Sequence, residues 1–164
     1  MKKLALLALG LALLAIPSRA QSVDASIGYS YFRLGNSGGL NQNGVSGSIG
    51  FYPIRFLGLV GDFGGYHASP SGVSTNTLTY MFGPRLMLRN PLRINPFVQA
   101  LAGGSRVSVS GVSSNQFAFS VGGGVDLGLL PHMYLRPQVD YVGLRNSGQT
   151  LNCTRASIGV AIRF

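Results

Sequence analysis

The chain has 164 residues, with 24 Gly, 1 Cys, no Trp, and 13 Lys and Arg against 4 acidic residues, a formal net charge of +9. One domain fits this length and two do not; a single Cys excludes an internal disulfide; and no apolar run after residue 20 is long enough to cross a membrane as a helix, so strands are the only spanning element available. Nucleic acid is not the expected partner, because Lys occurs only at Lys2 and Lys3 and the Arg residues are scattered without a basic cluster.

Met1-Lys2-Lys3, the apolar run from Leu4 to Ile16 and the small residues Ser18 and Ala20 have the make-up of a secretory signal peptide. The run is well short of the roughly 20 apolar residues of a spanning helix. Residues 1–20 are therefore expected to be removed and residues 21–164 to form the domain. Without Lys2, Lys3 and Arg19 the 13 basic residues become ten, all Arg, against four Asp, and the net charge falls from +9 to +6. Phosphorylated lipid headgroups are the anions expected to meet this charge.

From Val23 onward the chain alternates with period two, the signature of strands with one apolar face. Val23, Ala25, Ile27, Tyr29 and Tyr31 oppose Asp24, Ser26, Gly28, Ser30 and Phe32 in a first strand. Residues 34–44 are polar and turn-forming and are expected to be a long loop. Val45, Gly47, Ile49 and Phe51 mark a second strand, Tyr52 to Phe56 a short connection around Pro53, and Leu57 to Tyr66 a third strand with Asp62 on its polar side. A second long loop is expected over residues 67–76. The fourth strand sets Leu78, Tyr80, Phe82, Pro84, Leu86 and Leu88 against Arg85 and its neighbours; Pro84 cannot donate to a ladder, which predicts a bulge at Gly83-Pro84.

Residues 89–95 form the next short connection. The fifth strand, about 96–106, is apolar on both sides, and placing Val98, Ala100 and Ala102 outward points Gln99 in. A third long loop is expected over 107–115. Phe117, Phe119, Val121, Gly123, Val125 and Leu127 oppose Asp126 in a sixth strand, which contains Gly122-Gly123-Gly124, read as room for bulky neighbours or a bend. A short connection at 128–132 precedes the seventh strand, Met133 to Tyr141, with Arg136, Gln138 and Asp140 on the polar side, and residues 143–153 are a fourth long loop. Ala156, Ile158, Val160, Ile162 and Phe164 then alternate with Ser157, Gly159, Ala161 and Arg163 in an eighth strand.

Eight strands of about ten residues suffice to cross a bilayer with tilt. Their connections alternate long and short, as in membrane barrels with outer loops and tight periplasmic turns. Period two alone also fits a soluble barrel or sandwich, so the ionised residues decide. All four Asp lie within strands, opposite the apolar faces, together with Arg85, Arg136, Arg155 and Arg163. A solvated surface would scatter carboxylates through its loops; carboxylates paired with Arg inside a narrow barrel need no such scatter. The fold expected is all-β, an eight-stranded antiparallel up-and-down transmembrane β-barrel. Its interior is expected to hold a charge network of Asp24, Asp62, Arg85, Asp126, Arg136, Asp140 and Arg163, completed by Gln99, Gln138 and Ser hydroxyls.

The signal peptide, the strand rhythm, the segments Gly-Asp-Phe-Gly-Gly (61–65), Phe-Gly-Pro-Arg (82–85) and Pro-Phe-Val-Gln-Ala-Leu-Ala-Gly-Gly (96–104), and the closing Ile-Arg-Phe resemble the OmpA-like outer-membrane β-barrel family. The resemblance covers the chain after the leader. It implies a barrel of the OmpA/OmpX type in the outer membrane of a Gram-negative bacterium, a monomer surrounded by lipid and lipopolysaccharide, with Phe164 read by the outer-membrane assembly machinery. No peptidoglycan-binding segment follows the strands as it does in OmpA itself.

An eight-stranded barrel is filled by its own side chains, which argues against a general porin. Arg33, Arg106, Arg145 and Arg155 sit near the outer loop ends, where guanidinium can hold lipopolysaccharide phosphates. The expected role is non-enzymatic: a structural membrane protein presenting loops for surface contact such as adhesion, with no cofactor, metal or catalytic residue. Two alternatives stand beside it. His67-Ala68-Ser69 has the His-x-Ser spacing of lipid A deacylases, but the third group needed to orient the His is missing, since no Glu is present and Asp62 faces inward. A soluble secreted ligand-binding barrel is the other. His132, beside Pro131, reads as a turn residue.

Overall fold

A computed structural model describes residues 22–35, 40–69, 75–109, 112–146 and 149–164; the expected signal peptide lies outside the described residues. Eight strands follow one another: β1 (Ser22–Leu34), β2 (Leu40–Ile54), β3 (Leu57–Ala68), β4 (Thr75–Met87), β5 (Ile94–Val109), β6 (Val112–Leu130), β7 (Met133–Asn146) and β8 (Gln149–Arg163). Each pairs antiparallel with the next and β8 returns to β1, closing the sheet. Closure leaves no open edge, which a strand array in lipid requires.

The faces are sorted as the alternation predicts. Ile27, Ile49, Val98, Val121, Val139 and Ile158 are exposed on the outer surface, whereas Asp24, Asp62, Asp126, Asp140, Arg85 and Arg136 are buried within. This inverts the polarity of a water-soluble barrel and suits a hydrocarbon surround. Val98 and Ala100 face out and Gln99 in, so the phase of the ambiguous fifth strand is as expected. Tyr29, Tyr31, Tyr80 and Tyr141 are also exposed, and Tyr29 donates a 2.8 Å hydrogen bond to Asn43 Oδ1. Such rings, apolar in body and polar at the tip, suit the level of lipid headgroups.

The expected loops are largely strand. The ladder between β1 and β2 runs to Leu34↔Leu40, that between β5 and β6 to Val109↔Val112, and that between β7 and β8 to Asn146↔Gln149. The strands accordingly reach 12 to 19 residues rather than about ten. The Ser, Thr and Asn that read as loop sit beyond the apolar belt, where both faces can be polar and backbone pairing continues undisturbed.

The bulge expected at Gly83-Pro84 is absent. Pairing between β4 and β5 skips residues 83 and 84, yet the register is the same on either side, Phe82↔Ala102 and Arg85↔Gln99. Pro137 does the same to the β6 and β7 ladder, between Gly124↔Gln138 and Leu127↔Leu135. Each ring costs the ladder locally without inserting a residue. The register shifts lie instead at the periplasmic ends, between Phe51 and Ile54 beside Pro53 and between Gly128 and Leu130.

The Gly run of β6 makes space inside. A Cβ at Gly122 would collide with Asp140, and one at Gly124 would come within 2.9 Å of the Phe97 ring. In the middle of the closing seam the inward residues of both strands are small: Ser26, Gly28 and Ser30 on β1 stand opposite Ala161, Gly159 and Ser157 on β8. Backbones approach closely there, since a Cβ on Gly28 would strike Gly159.

Candidate functional site in the lumen and at the rims

Taking Ser22 as the periplasmic end, the lumen is stacked in three tiers. Nearest the outside is an apolar tier of Phe32, Tyr66, Met81, Leu101, Ala118, Val142, Leu144 and Cys153, with Phe32 stacked on Tyr66 at 4.7 Å between ring centres; Val60, one inward step below Asp62 on β3, belongs to the same apolar cluster. The charges lie below it. Tyr52, Met87 and Phe97 fill the periplasmic side among the lowest charges. Beside the charge network the lumen therefore holds an apolar tier, supplied by strand residues near the outer ends, where period two says which side a residue takes but not what it meets.

The charged tier has an upper and a lower set. In the upper set Arg155, 1% exposed, joins Asp62 and Asp140, donating Nη1 to Asp62 Oδ1 and Nε (2.9 Å) and Nη2 (2.8 Å) to Asp140 Oδ2. Gln138 Nε2 also donates to Asp140 Oδ2, at 2.7 Å. In the lower set Arg136 forks onto Asp126 at 2.6 and 2.8 Å and reaches Asp24 Oδ2 at 2.9 Å. Arg163 adds a bond to Asp126 Oδ2 at 2.8 Å.

Arg85 and Gln99 connect the sets. Gln99 Oε1 accepts from Arg85 Nε and Nη2 at 2.9 and 2.7 Å, while Gln99 Nε2 donates to Asp140 Oδ1 at 3.0 Å. Arg85 also lies 3.9 Å from Asp24 and 4.6 Å over the Phe97 ring. Four Arg and four Asp thus make one continuous and formally neutral network. The planar fork of guanidinium suits this bridging of two carboxylates across a narrow space.

All seven residues expected in the network lie in it, and Arg155 joins them. Its placement among the outer lipopolysaccharide contacts is corrected: its parity on β8 points it inward, and Asp62 and Asp140 occupy its donors. Asp24 and Arg163, opposite each other in the closing ladder, do not pair directly, since Arg136 holds Asp24 and Asp126 holds Arg163. The serines contribute less than expected. Ser48 accepts from Arg136 at 3.5 Å, but Ser30, Ser105 and Ser120 have buried hydroxyls with no partner among the described residues.

Among the described residues six Arg remain outside the lumen. Arg33, Arg106 and Arg145 are exposed near the outer ends of β1, β5 and β7. Arg55, Arg89 and Arg93 lie in the periplasmic turns. Arg89 donates to Ser22 Oγ at 2.6 Å and covers Tyr52, and burial, with Arg163 nearby, lowers its basicity without removing its charge. His132 takes a left-handed backbone at φ 69° and its Nδ1 donates to the Arg163 carbonyl at 3.0 Å, a turn role as expected. Phe164 is 75% exposed, and its N–H donates to the Val23 carbonyl at 2.8 Å.

Cys153 is buried in the apolar tier beside Phe32 and Leu144. It lies within β8 rather than in the loop expected over residues 143–153. Maleimide is expected to leave Cys153 unmodified in the folded barrel and to label it fully after heat or urea; fast labelling of the folded protein would contradict this packing.

No protein-family model and no curated protein sequence matches the chain. Solved structures do. Neisserial surface protein A (NspA) aligns over 88% of this chain and 97% of its own, with a TM-score of 0.72 at 19% identity. Ail, the attachment invasion locus protein of Yersinia pestis, in complex with the heparin analogue sucrose octasulfate, aligns over 88% and 99% with a TM-score of 0.66 at 17% identity. The N-terminal β-barrel domain of Pseudomonas aeruginosa OprF aligns over 86% and 97% with a TM-score of 0.60 at 17% identity. With its closed antiparallel sheet, apolar exterior and charged lumen, the chain has the fold of the OmpA-like eight-stranded outer-membrane β-barrels.

Proposed function

We propose that the protein is a resident of the Gram-negative outer membrane that conducts no ions and works through its outer rim, where Arg33, Arg106 and Arg145 hold phosphate groups of lipopolysaccharide. One observation carries this reading: all four Asp of the chain are consumed inside by four Arg, so the outer-rim guanidinium groups stand above an apolar belt without a carboxylate to neutralise them. Guanidinium binds phosphate bidentately, and near a low-dielectric surface the attraction exceeds that of a solvated pair. Ail, a barrel of the same fold, was crystallised with a polysulfated sugar, which supports polyanion recognition by a rim of this kind.

The stacked lumen supports a closed barrel, since a residue such as Leu101 or Met81 offers nothing to a hydrated ion. In planar bilayers the purified protein is expected to give no discrete conductance steps. The rim is tested by titrating detergent-solubilised protein with lipopolysaccharide. Arg33→Gln/Arg106→Gln/Arg145→Gln is expected to weaken binding about tenfold, roughly 1.4 kcal/mol, and high salt to weaken the wild type similarly. Equal affinity of wild type and triple variant, at low salt, would sink the rim reading.

A further inference from the structure

At the outer edge of β3 and β4 three polar side chains are strung together on the outer face. Ser69 Oγ lies 2.9 Å from His67 Nε2, and His67 Nδ1 lies 2.6 Å from Asn76 Oδ1. Asn76 Oδ1 can only accept, so Nδ1 carries a proton, and in the neutral ring Nε2 is then free to accept the Ser69 hydroxyl proton. This is the order of groups that activates a serine: nucleophile, base, and a third group that fixes the ring. Position produces it, because His67 and Asn76 are register partners across β3 and β4 and both face out. An amide in the third place orients the ring without a full negative charge, as in cysteine hydrolases with a Cys-His-Asn set.

His67 and Asn76 border a cleft, and Ser69 reaches it through its 2.9 Å contact with His67. One row below His67, Val45, Gly65 and Leu78 are register neighbours, and Gly65 has so much space beside it that an added Cβ would meet nothing within 4 Å. The gap it leaves is the floor of a cleft of about 500 Å³, walled by Val45 and Leu78 and edged by Asn43, Asn76, Arg106 and Ser108. Its lower walls belong to the apolar belt and its upper edge is polar and cationic. An amphiphile with an acyl chain below and an anionic head above fits that gradient.

We propose that Ser69, His67 and Asn76 hydrolyse the acyl ester of an anionic amphiphile bound in this cleft. Ser69 Oγ attacks the ester carbonyl carbon as its proton passes to His67 Nε2. The carbon–oxygen bond to the alcohol then breaks, and the alcohol leaves with that proton. Water attacks the acyl group on Ser69, giving a proton to His67, which returns it to Ser69 Oγ as the fatty acid departs. Ser69 and His67 are catalytic residues here and Asn76 is a positioning residue. The inference goes beyond the rim contacts: the rim titration would be unaffected by loss of the hydroxyl of Ser69, so the two readings fail separately.

The test uses the purified barrel in mixed micelles with p-nitrophenyl decanoate. The wild type is expected to release p-nitrophenol above the rate of empty micelles, and Ser69→Ala and His67→Ala to lose roughly 100-fold or more. Asn76→Ala is expected to lower kcat about tenfold with KM little changed, and Asn76→Asp to restore kcat. Gly65→Leu, which fills the floor, is expected to raise KM for the decanoate ester while sparing p-nitrophenyl acetate. Retained heat-modifiable migration on gels shows that each variant is folded. A fluorophosphonate probe should label Ser69. A wild-type rate no higher than that of empty micelles, or a Ser69→Ala rate equal to wild type, would overturn the proposal.

Discussion

Arg155→Met is expected to destabilise the barrel by roughly 3–5 kcal/mol in urea titrations of the protein in lipid vesicles, because it leaves two buried carboxylates facing each other without a counter-charge. Arg155 is 1% exposed and is the residue that joins Asp62 to Asp140. Gln138 and Gln99 each donate one bond to Asp140, but Asp62 has Arg155 as its sole ionic partner among the described residues. The loss should be partly undone by removing the stranded charges as well: Asp62→Leu/Asp140→Leu/Arg155→Met should recover much of the stability, since a buried ionic cluster is often matched by apolar groups of similar volume. An Arg155→Met barrel within about 1 kcal/mol of wild type would show that the upper ion pairs are solvated and the lumen open to water.

Val139→Arg is the second large effect. Val139 is 58% exposed, lies between Gly123 of β6 and Ala156 of β8, and belongs to the middle of the apolar outer face. A guanidinium there must sit in hydrocarbon or bend toward the headgroups, at about 2–4 kcal/mol at mid-depth. The same titration in vesicles measures it. Arg145→Val, six residues along the same strand face and at the rim, should change stability by less than about 1 kcal/mol. If Val139→Arg were as stable as wild type, the apolar surface would be lying in water, and membrane residence would have to be abandoned.

Much of the fold could be read before any coordinates because two signals agreed. Period two assigns the sides of seven strands, the fifth being phased only by turning Gln99 inward, and the confinement of Asp24, Asp62, Asp126 and Asp140 to strand positions opposite Val, Ile and Leu tells which side is inward. The ends of strands were less legible. Ser, Thr, Asn and Gly describe a loop and a hairpin in water equally well, so the ladders that run to Val109 and Asn146 left no mark in composition.

Pairings across the lumen were less legible still. Parity fixes that Arg136 points in, but not that it takes both Asp126 from its neighbour strand and Asp24 from the far side of the seam. Arg155 was placed at the rim because it follows a polar stretch, although its alternation with Ser157 and Gly159 was already the inward series. Asn76 is not legible as a partner for His67 because eight positions intervene in the sequence, and only the β3 to β4 register makes them neighbours. The third place is taken by an amide rather than by the carboxylate that a serine triad ordinarily carries.

The seam between the first and last strands has a consequence for how the ring shuts. Over its middle, Ser26, Gly28 and Ser30 meet Ala161, Gly159 and Ser157 with almost nothing to mesh, while Asp24 faces Arg163 at one end and Phe32 faces Arg155 at the other. That middle stretch can zip edge to edge after the remaining hairpins have formed, leaving the long side chains at its two ends to settle last. A force acting sideways on the cylinder should accordingly find little interlocking along that stretch.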